Sequence, residues 1–261
     1  MPLLTAMIPA HNAEQTLSAA IQSILDQTFT DFELWILENG SDDHTLEIAK
    51  TFNDPRLKIF NLGKVGFQGA MKWGLEKATS KYIARMDADD ICLPNRFEIQ
   101  INHLQNHPEH VLHGCHPLLL TPNNHILEKT DQNLESGEVS FMFMSDIQGE
   151  PKRYFADPSV IFRREIAIQV GGYDDEFNVG DVSLWIRMLK DHIGYQTTEP
   201  LLVYRLVNKS MSNTLTFNQQ TRACRIKYYG ERYPEIETSS NKTQGTEIAY
   251  WIRVANMELL A

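Results

Sequence analysis

The sequence contains few cysteines, three among 261 residues. Cys92, Cys115 and Cys224 are widely spaced and odd in number, and they form neither a Cys-x-x-Cys pair nor the Cys/His spacing of a metal-binding module. Nothing in this pattern supports a disulfide framework or a zinc-finger site. It is typical of a reduced, cytosolic chain.

Long hydrophobic runs are also missing. No segment approaches the ~18 consecutive apolar residues that a membrane-spanning helix needs. The first residues, MPLLTAMIPAHN, contain no positively charged region and only a short apolar run, so they do not resemble a signal peptide. We expect a cytoplasmic protein, and peripheral attachment to the inner face of the cell membrane stays open.

Positive charge is scarce: 24 Lys and Arg stand against 34 Asp and Glu, a net charge of −10. This balance argues against nucleic acid as a partner, but a small anionic ligand could still bind through a local cation or metal. The sequence also lacks a GxxxxGK[ST] phosphate loop and a GxSxG nucleophile motif. The nine histidines show no HExxH-type spacing, and we assign none of them to a metal.

What the sequence does contain is a regular alternation of short apolar runs and helical spacing over its first 110 residues. The expected strands are Leu3–Ile8, Phe32–Leu37, Leu57–Asn61 and Tyr82–Met86, and the expected helices are Ala13–Gln27, Asp43–Phe52 and Gly66–Ala78. Strands separated by single helices predict an α/β fold with a mostly parallel sheet.

Beyond the first half the pattern is looser. There we expect helices at Pro94–Asn106, Val182–Leu189 and Glu247–Leu260, and strands at Val111–Leu120, Pro158–Arg163 and Leu201–Arg205. No repeat or clear linker divides the chain.

Three polar clusters follow strands of the predicted sheet, at residues 9–12, 38–41 and 87–90. Ligands bind parallel sheets beyond the carboxyl ends of the strands, so these clusters are predicted to meet at one cleft. Asp87-Ala88-Asp89-Asp90 is the most informative, because Mg²⁺ and Mn²⁺ prefer carboxylate and phosphate oxygens. The alternative is a solvated acidic turn that caps the helix near Pro94.

Three segments carry a resemblance to a known family. The runs AMIPAHNAEQTLSAAIQSILDQTFTDFELWILENGSDDHT, YIARMDADDICLPNRF and DPSVIFRREIAIQVGGYDDEFNVGDVSLWIRM resemble family 2 glycosyltransferases in order and spacing, over roughly residues 3–212. The resemblance implies a GT-A fold, a Rossmann-like sheet flanked by helices. It implies a transferase domain at 1–212, with a nucleotide-sugar half (1–110) and an acceptor and catalytic-base half (111–212), and a helical extension at 213–261.

The resemblance also assigns roles to individual positions. The nucleotide-sugar would be held by Pro9, Ala10, His11, Asn12, Glu14, Glu38, Asn39, Asp87 and Ala88. Independently of the resemblance, Lys72 could approach the diphosphate, although the alternative is an exposed helix lysine with no specific role. Asp89 would bind Mn²⁺ or Mg²⁺, and Asp181 would be the general base. Trp185 and Asp174 would line the acceptor site.

Two of these assignments have simpler alternatives. Asp181 could be the N-cap of the helix that follows it, a role compatible with catalysis. Trp185 is a residue type that more often packs in a core than binds a sugar.

The implied function is that of an inverting, metal-dependent hexosyl- or N-acetylhexosaminyltransferase. The expected donor is a UDP-sugar and the acceptor a glycan or lipid-linked glycan of a bacterial surface polysaccharide or lipooligosaccharide. The ionised Asp181 would accept the proton of the acceptor hydroxyl, while the metal neutralises the leaving diphosphate.

Four positions depart from the usual family pattern. Asn39 replaces an aspartate, Gly180 replaces a Glu before the catalytic Asp, and Asp157 and Val207 each stand where a His is frequent. The departures at Asn39, Gly180 and Val207 keep a non-catalytic nucleotide-sugar-binding relative open as an alternative. A nucleotidyltransferase is a weaker one, because no glycine-rich, lysine-containing nucleotide loop is present.

Overall fold

The structure is a computed structural model. It describes residues 1–127, 136–139, 155–174, 176–177 and 179–206, together with 220, 223–224 and 227–228. Val207, the expected helix at 247–260 and most of the 213–261 extension lie outside the described residues. Within them, no helix is both long and apolar enough to cross a membrane.

The secondary structure begins with the predicted strand–helix alternation and becomes less regular after residue 106. The strands are β1 Leu4–Ala10, β2 Phe32–Glu38, β3 Leu57–Asn61, β4 Tyr82–Arg85, β5 Ile91–Cys92, β6 His110–Cys115, β7 Leu118–Leu120, β8 Ile126–Leu127, β9 Gly137–Val139, β10 Ile161–Arg163, β11 Ile193–Thr197 and β12 Leu202–Arg205. The helices are α1 Leu17–Leu25, α2 Thr45–Lys50, α3 Gly66–Lys77, α4 Arg96–Asn106, α5 Arg164–Gln169 and α6 Gly180–Leu189.

The described strands form two sheets. The larger has the order β3-β2-β1-β4-β10-β6-β11-β9, and the smaller has the order β5-β12-β7-β8. The first four strands are parallel, whereas β10 runs antiparallel to both of its neighbours, β4 and β6. This mixed, mostly parallel sheet confirms the predicted α/β class. The predicted halves 1–110 and 111–212 both contribute strands to the larger sheet.

Helices pack on both faces of the larger sheet because the side chains of β1 alternate between two cores. Leu4, Ala6 and Ile8 belong to one cluster, together with buried residues of α1 and α4. Met7 points to the other face and belongs to a second cluster, which contains buried residues of α3 and α6. This alternation, the two-residue period of a strand, gives the three-layer architecture.

Several predicted boundaries are wrong in the second half. The single strand expected at 111–120 is two strands in different sheets, β6 and β7, separated by His116-Pro117. Pro117 has no backbone N–H and cannot continue a ladder. Pro158 likewise lies in a 3₁₀ turn, Asp157–Ser159, before β10 begins. The strand β11 is an element that we did not predict.

Candidate active site

The loops after β1 and β2 are bonded to each other. Ala10 pairs with Glu38 in the parallel register, and the N–H of Asn39 donates to the carbonyl of Ala10 at 2.8 Å. The ring Nδ1 of His11 lies 3.0 Å from the carbonyl oxygen of Asn39. Asn12 adopts a left-handed backbone conformation, φ 50°, that Asn tolerates better than most residues. Two of the three predicted polar clusters are therefore adjacent.

Side chains of both clusters build the loop that follows β2. Asn12 Oδ1 accepts the N–H of Asp42 at 2.9 Å, and the buried Glu38 accepts the N–H of Ser41 at 2.6 Å. The Oε2 atom of Glu14 accepts the backbone N–H of His44 at 3.1 Å and lies 3.0 Å from Nδ1 of the His44 ring. These bonds lower the pKa of Glu14, and the carboxylate raises the pKa of His44.

The amide of Asn39 bonds to the start of α3. Its Oδ1 accepts the N–H groups of Val65 and Gly66, both at 2.9 Å. The departure from aspartate at this position therefore preserves an acceptor oxygen at the N-terminus of α3, where the first N–H groups lack acceptors within the helix.

Other residues predicted to bind the nucleotide-sugar lie within strand β1, in the core or on the exposed side of α3. Pro9 and Ala10 belong to β1 itself, because its pairing with β2 extends to Glu38. The side chains of Ala10 and Ala88 lie in the core. Lys72 lies on the exposed side of α3.

The carboxylates of Asp87, Asp89 and Asp90 follow β4, and an oxygen of each lies within 4.8 Å of the others. Asp90 is buried; its Oδ1 accepts the backbone N–H of Arg205 at 2.9 Å, and its Oδ2 has no hydrogen-bond partner. Burial, followed by repulsion from Asp87, raises the pKa of both Asp89 and Asp90. The N-cap of α4 is Asn95, so this acidic turn does not cap that helix.

Arg85 is the cation at the centre of the site. It is 5% exposed, and its Nη2 and Nε lie 2.7 Å and 2.6 Å from carboxylate oxygens of Asp87 and Asp157. Burial disfavours its charge, but Asp157 and Asp87 outweigh that effect and raise the pKa of Arg85. One guanidinium faces the carboxylates of Asp87, Asp157 and Asp181, so the group keeps an excess of negative charge.

Asp181 lies in the first turn of α6, whose N-cap is Val179. It is therefore a helical residue and not the cap. Burial raises the pKa of Asp181, and Arg85 opposes this shift. Burial also raises the pKa of Asp157 well above its ordinary value, with Arg85 again opposing. A carboxylate with a raised pKa beside a cleft is suited to accept a proton near neutral pH.

The segment before α6 is held by Asp174 and by Gln68. Asp174 accepts the hydroxyl of Ser183 at 2.8 Å and lies 2.8 Å from Nη2 of Arg187. The Gln68 side chain of α3 donates to the carbonyl of Phe177. A Cβ at position 180 would lie 2.8 Å from Cγ of Gln68, so any larger residue there would force the Gln68 side chain to move.

Trp185 lies in the core beneath the site and not at the cleft surface. It is 1% exposed, and its ring meets Phe162 edge-on with centroids 5.1 Å apart. The predicted acceptor contact by Trp185 is therefore corrected to a packing role in this conformation. The position faces the core because α6 buries it, with Leu184 and Met188, against the sheet.

Three side chains of the site were given no role from the sequence: Arg85, Tyr173 and Gln68. Asp90 was part of the predicted acidic cluster, and Asp157 was noted only as a departure from the family pattern. The signal available for Arg85 is a charged residue inside the apolar strand Tyr82–Met86, because such a charge is buried only when paired. Asp157 and Tyr173 offer no comparable local signal. They join Arg85 only through folding.

Comparison with known proteins places these features in context. Residues 5–171 match the family model described as Glycosyl transferase family 2. The chain is 33% identical to the O-antigen biosynthesis glycosyltransferase WbnJ of Escherichia coli over 224 residues, which cover 80% of this chain and 82% of the relative. It is 34% identical over 128 residues to the Escherichia coli protein described as UDP-Glc:alpha-D-GlcNAc-diphosphoundecaprenol beta-1,3-glucosyltransferase WfgD, about half of each chain (49% and 50%).

Solved structures share the fold. TarS 1-349 from S. aureus in complex with UDP-GlcNAc superposes with a TM-score of 0.71 at 15% identity, covering 93% of this chain and 74% of that one. The mannosyltransferase PcManGT from Pyrobaculum calidifontis, in complex with GDP-Man and Mn2+, gives a TM-score of 0.61 at 15% identity, covering 99% and 70%.

Proposed function

Because the chain belongs to glycosyl transferase family 2, we propose that it transfers a sugar with inversion from a UDP-sugar to a hydroxyl of a glycan or lipid-linked acceptor. The observation that carries this proposal is the arrangement around Arg85, which pairs with Asp87 after β4 and with Asp157 and interacts electrostatically with Asp181. The names of WbnJ and WfgD support surface-glycan synthesis and a diphospholipid-linked acceptor. The UDP-GlcNAc complex of TarS supports the choice of nucleotide.

The acidic cluster fits a divalent cation. Three carboxylates converge, and the buried Oδ2 of Asp90 has no hydrogen-bond partner. Asp89 would hold Mn²⁺ or Mg²⁺, with Asp87 and Asp90 beside it and donor phosphate oxygens as further ligands. A bound cation would neutralise the charge that develops on the leaving diphosphate.

The chain's own residues would carry the rest of the reaction. Asp181 takes the proton from the acceptor hydroxyl as its oxygen attacks the anomeric carbon opposite the leaving diphosphate. Arg85 fixes Asp87 and Asp157 and limits the repulsion among the carboxylates around Asp181. The polar loops after β1 and β2 hold the nucleoside. Asp174 acts by holding the segment before α6, on the acceptor side of Asp181.

The test is metal-dependent donor cleavage by the full chain. UDP-, GDP-, CDP- and TDP-sugars are incubated with Mn²⁺, with and without chelator, and nucleoside diphosphate is measured. We expect release from one UDP-sugar, which stops with chelator and falls at least a hundredfold in Asp89→Ala. Donor binding with no release from any sugar would instead support the non-catalytic alternative. Release of pyrophosphate from a nucleoside triphosphate would support the nucleotidyltransferase.

A further inference from the structure

A second group of potential metal ligands lies at the opposite end of the larger sheet. His107 and Glu109 belong to the loop between α4 and β6, and His110 is the first residue of β6. Glu138 lies on the edge strand β9, across from β11. Since β6 runs parallel to β4, its first residue is far from the Asp87–Asp90 turn, which follows the last residue of β4. We call these four residues the histidine site.

Ligand atoms of three residues of the histidine site converge, and the fourth residue, Glu138, lies beside His110. An atom of His107, one of Glu109 and one of His110 all lie within 4.8 Å of one another. His107 Nδ1 is 3.0 Å from Glu109 Oε1, while His110 Nε2 is 4.0 Å from Glu109 Oε1 and 3.6 Å from Glu138 Oε1. The last two distances are too long for hydrogen bonds. They leave a gap between one imidazole nitrogen and two carboxylates.

The nitrogen that faces this gap is buried and lacks a hydrogen-bond partner. The side chain of His110 is 4% exposed, and among the described residues its Nε2 has no hydrogen-bond partner, with the two carboxylates at 3.6 and 4.0 Å as its polar neighbours. Its other nitrogen, Nδ1, lies 2.9 Å from Nε2 of His103. In metal-bound histidines the second ring nitrogen usually donates to a fixed acceptor, which orients the ring. Nε2 of His103 can be that acceptor when Nδ1 of His110 carries the proton, and Nε2 of His110 then has a free lone pair.

The spacing matches a tetrahedral first-row ion. Zinc binds imidazole nitrogen at about 2.0–2.1 Å and carboxylate oxygen at about 2.0–2.2 Å, which places neighbouring ligand atoms roughly 3.3–3.5 Å apart. The three measured separations, 3.0, 3.6 and 4.0 Å, surround this value. Nitrogen ligands also distinguish the site from the all-carboxylate cluster at Asp87–Asp90, since imidazole favours zinc over magnesium.

We propose that His107, Glu109, His110 and Glu138 bind one divalent transition-metal ion of the zinc type. The side chains of His107, Glu109 and Glu138 are 48%, 50% and 63% exposed, so the ion can enter from solvent. The bound ion ties the edge strand β9 to the start of β6. This is a structural site, separate from the transfer reaction.

The test measures zinc binding to the untagged full chain by isothermal titration calorimetry after chelator treatment. Asp89→Asn is present in every protein, to weaken binding at the acidic cluster. His107→Ala and Glu138→Gln change exposed side chains and leave the buried His110 in place, so the fold should survive. Matched controls are His125→Ala and Glu199→Gln, at exposed positions outside the site.

We expect one zinc per chain, with affinity at least tenfold weaker in both site variants and unchanged in both controls. Zinc at a hundred times its Kd should also raise Tm by about 5 °C, and the site variants should lose this shift. Equal affinity in the site variants and the controls would overturn the proposal, as would no binding at submillimolar zinc.

Discussion

Arg85 is the residue on which the electrostatics of the site depend. It lies at the end of the buried strand β4. Among the ion pairs of the described residues, Asp87 and Asp157 pair with no cation other than Arg85. A buried ion pair contributes little net stability, but removing one partner leaves an uncompensated buried charge. Arg85 therefore has a structural task in addition to any effect on catalysis.

Arg85→Met should lower the free energy of unfolding by about 3–5 kcal/mol at pH 7, because Asp157 is left buried and unpaired. Urea unfolding followed by circular dichroism measures this loss. The control is Lys64→Met, which removes an exposed ion pair with Asp42 and should cost less than about 1 kcal/mol. Equal losses in the two variants would contradict the assignment of Arg85 as the central cation.

The pH dependence of transfer should report Asp181. A general base works only when deprotonated, so activity is lost as pH falls through its pKa. Burial raises that pKa above the ordinary 3.8, and kcat/KM should therefore decline on the acid side at a higher pH than for an exposed aspartate. Asp157 and Asp181 lie in one carboxylate cluster, so the apparent pKa belongs to the group.

Initial rates from pH 4 to pH 8 with donor and acceptor supplied would measure this profile. Asp181→Asn should lower kcat by about 10²–10⁴, and any acid decline in the rate that remains would belong to the metal-binding cluster, where the pKa values of Asp89 and Asp90 are also raised. A wild-type profile that stays flat down to pH 4 would exclude Asp181 as a base with a raised pKa.

At the scale of secondary-structure elements, the contact between α3 and α6 positions the base. Gln68 fills the space above Gly180 and holds the preceding segment through Phe177. The departure at Gly180 thus has a physical explanation in this chain. The Gln68 side chain comes from α3 and occupies the space beside Gly180, so a larger residue at 180 would collide with it.

Gly180→Ala should lower kcat about tenfold, because the new methyl group displaces Gln68 and with it the first turn of α6. Adding Gln68→Ala removes Cγ, the atom in the collision, and should recover part of the loss. A double-mutant cycle on kcat measures the interaction between the two substitutions. Gln169→Ala, which changes an exposed glutamine of α5, serves as the control and should have no effect. Strictly additive effects would show that the two residues do not interact.

At the scale of the whole molecule, the buried His113, which contacts Gln100 of α4, makes the free energy of unfolding depend on pH. His113 is 1% exposed, and its Nδ1 lies 3.1 Å from the side-chain nitrogen of Gln100. Burial, followed by the positive charge that His103 would carry, lowers the pKa of His113 well below 6.5. The unfolded chain therefore binds a proton that the folded chain rejects, and stability falls as pH drops below about 6.5.

Through His113, lowering the pH from 7 to 5 should reduce the free energy of unfolding by up to about 2 kcal/mol. His113→Gln should flatten that part of the pH dependence, whatever its cost at pH 7. Urea unfolding of both proteins at the two pH values provides the comparison. His125→Gln, at an exposed position, should leave the slope as it is in the wild type.

Local pattern determined the first half of this protein. Strands β1 to β4, helices α1 to α4 and the polar clusters at their ends follow from apolar periodicity and turn residues, which are properties of short segments. The parallel order then follows from the single helices between strands, and it predicts that the polar clusters share one edge of the sheet. Asp87 and Asp89 stand out already as part of an acidic cluster after a strand, whereas the role proposed for Asp181 comes from the resemblance of its motif to a family.

Only the tertiary structure decided which distant side chains meet. The pairing of Arg85 with Asp157 depends on β10 entering the sheet antiparallel beside β4. The burial of Trp185 depends on which side of α6 packs on the sheet. His107 and His110 are close in sequence, yet Glu138 lies 3.6 Å from His110 because β11 pairs with both β6 and β9. Such contacts join segments with no local relation, because burying apolar surface determines which segments pack together and each polar partner is found only afterwards.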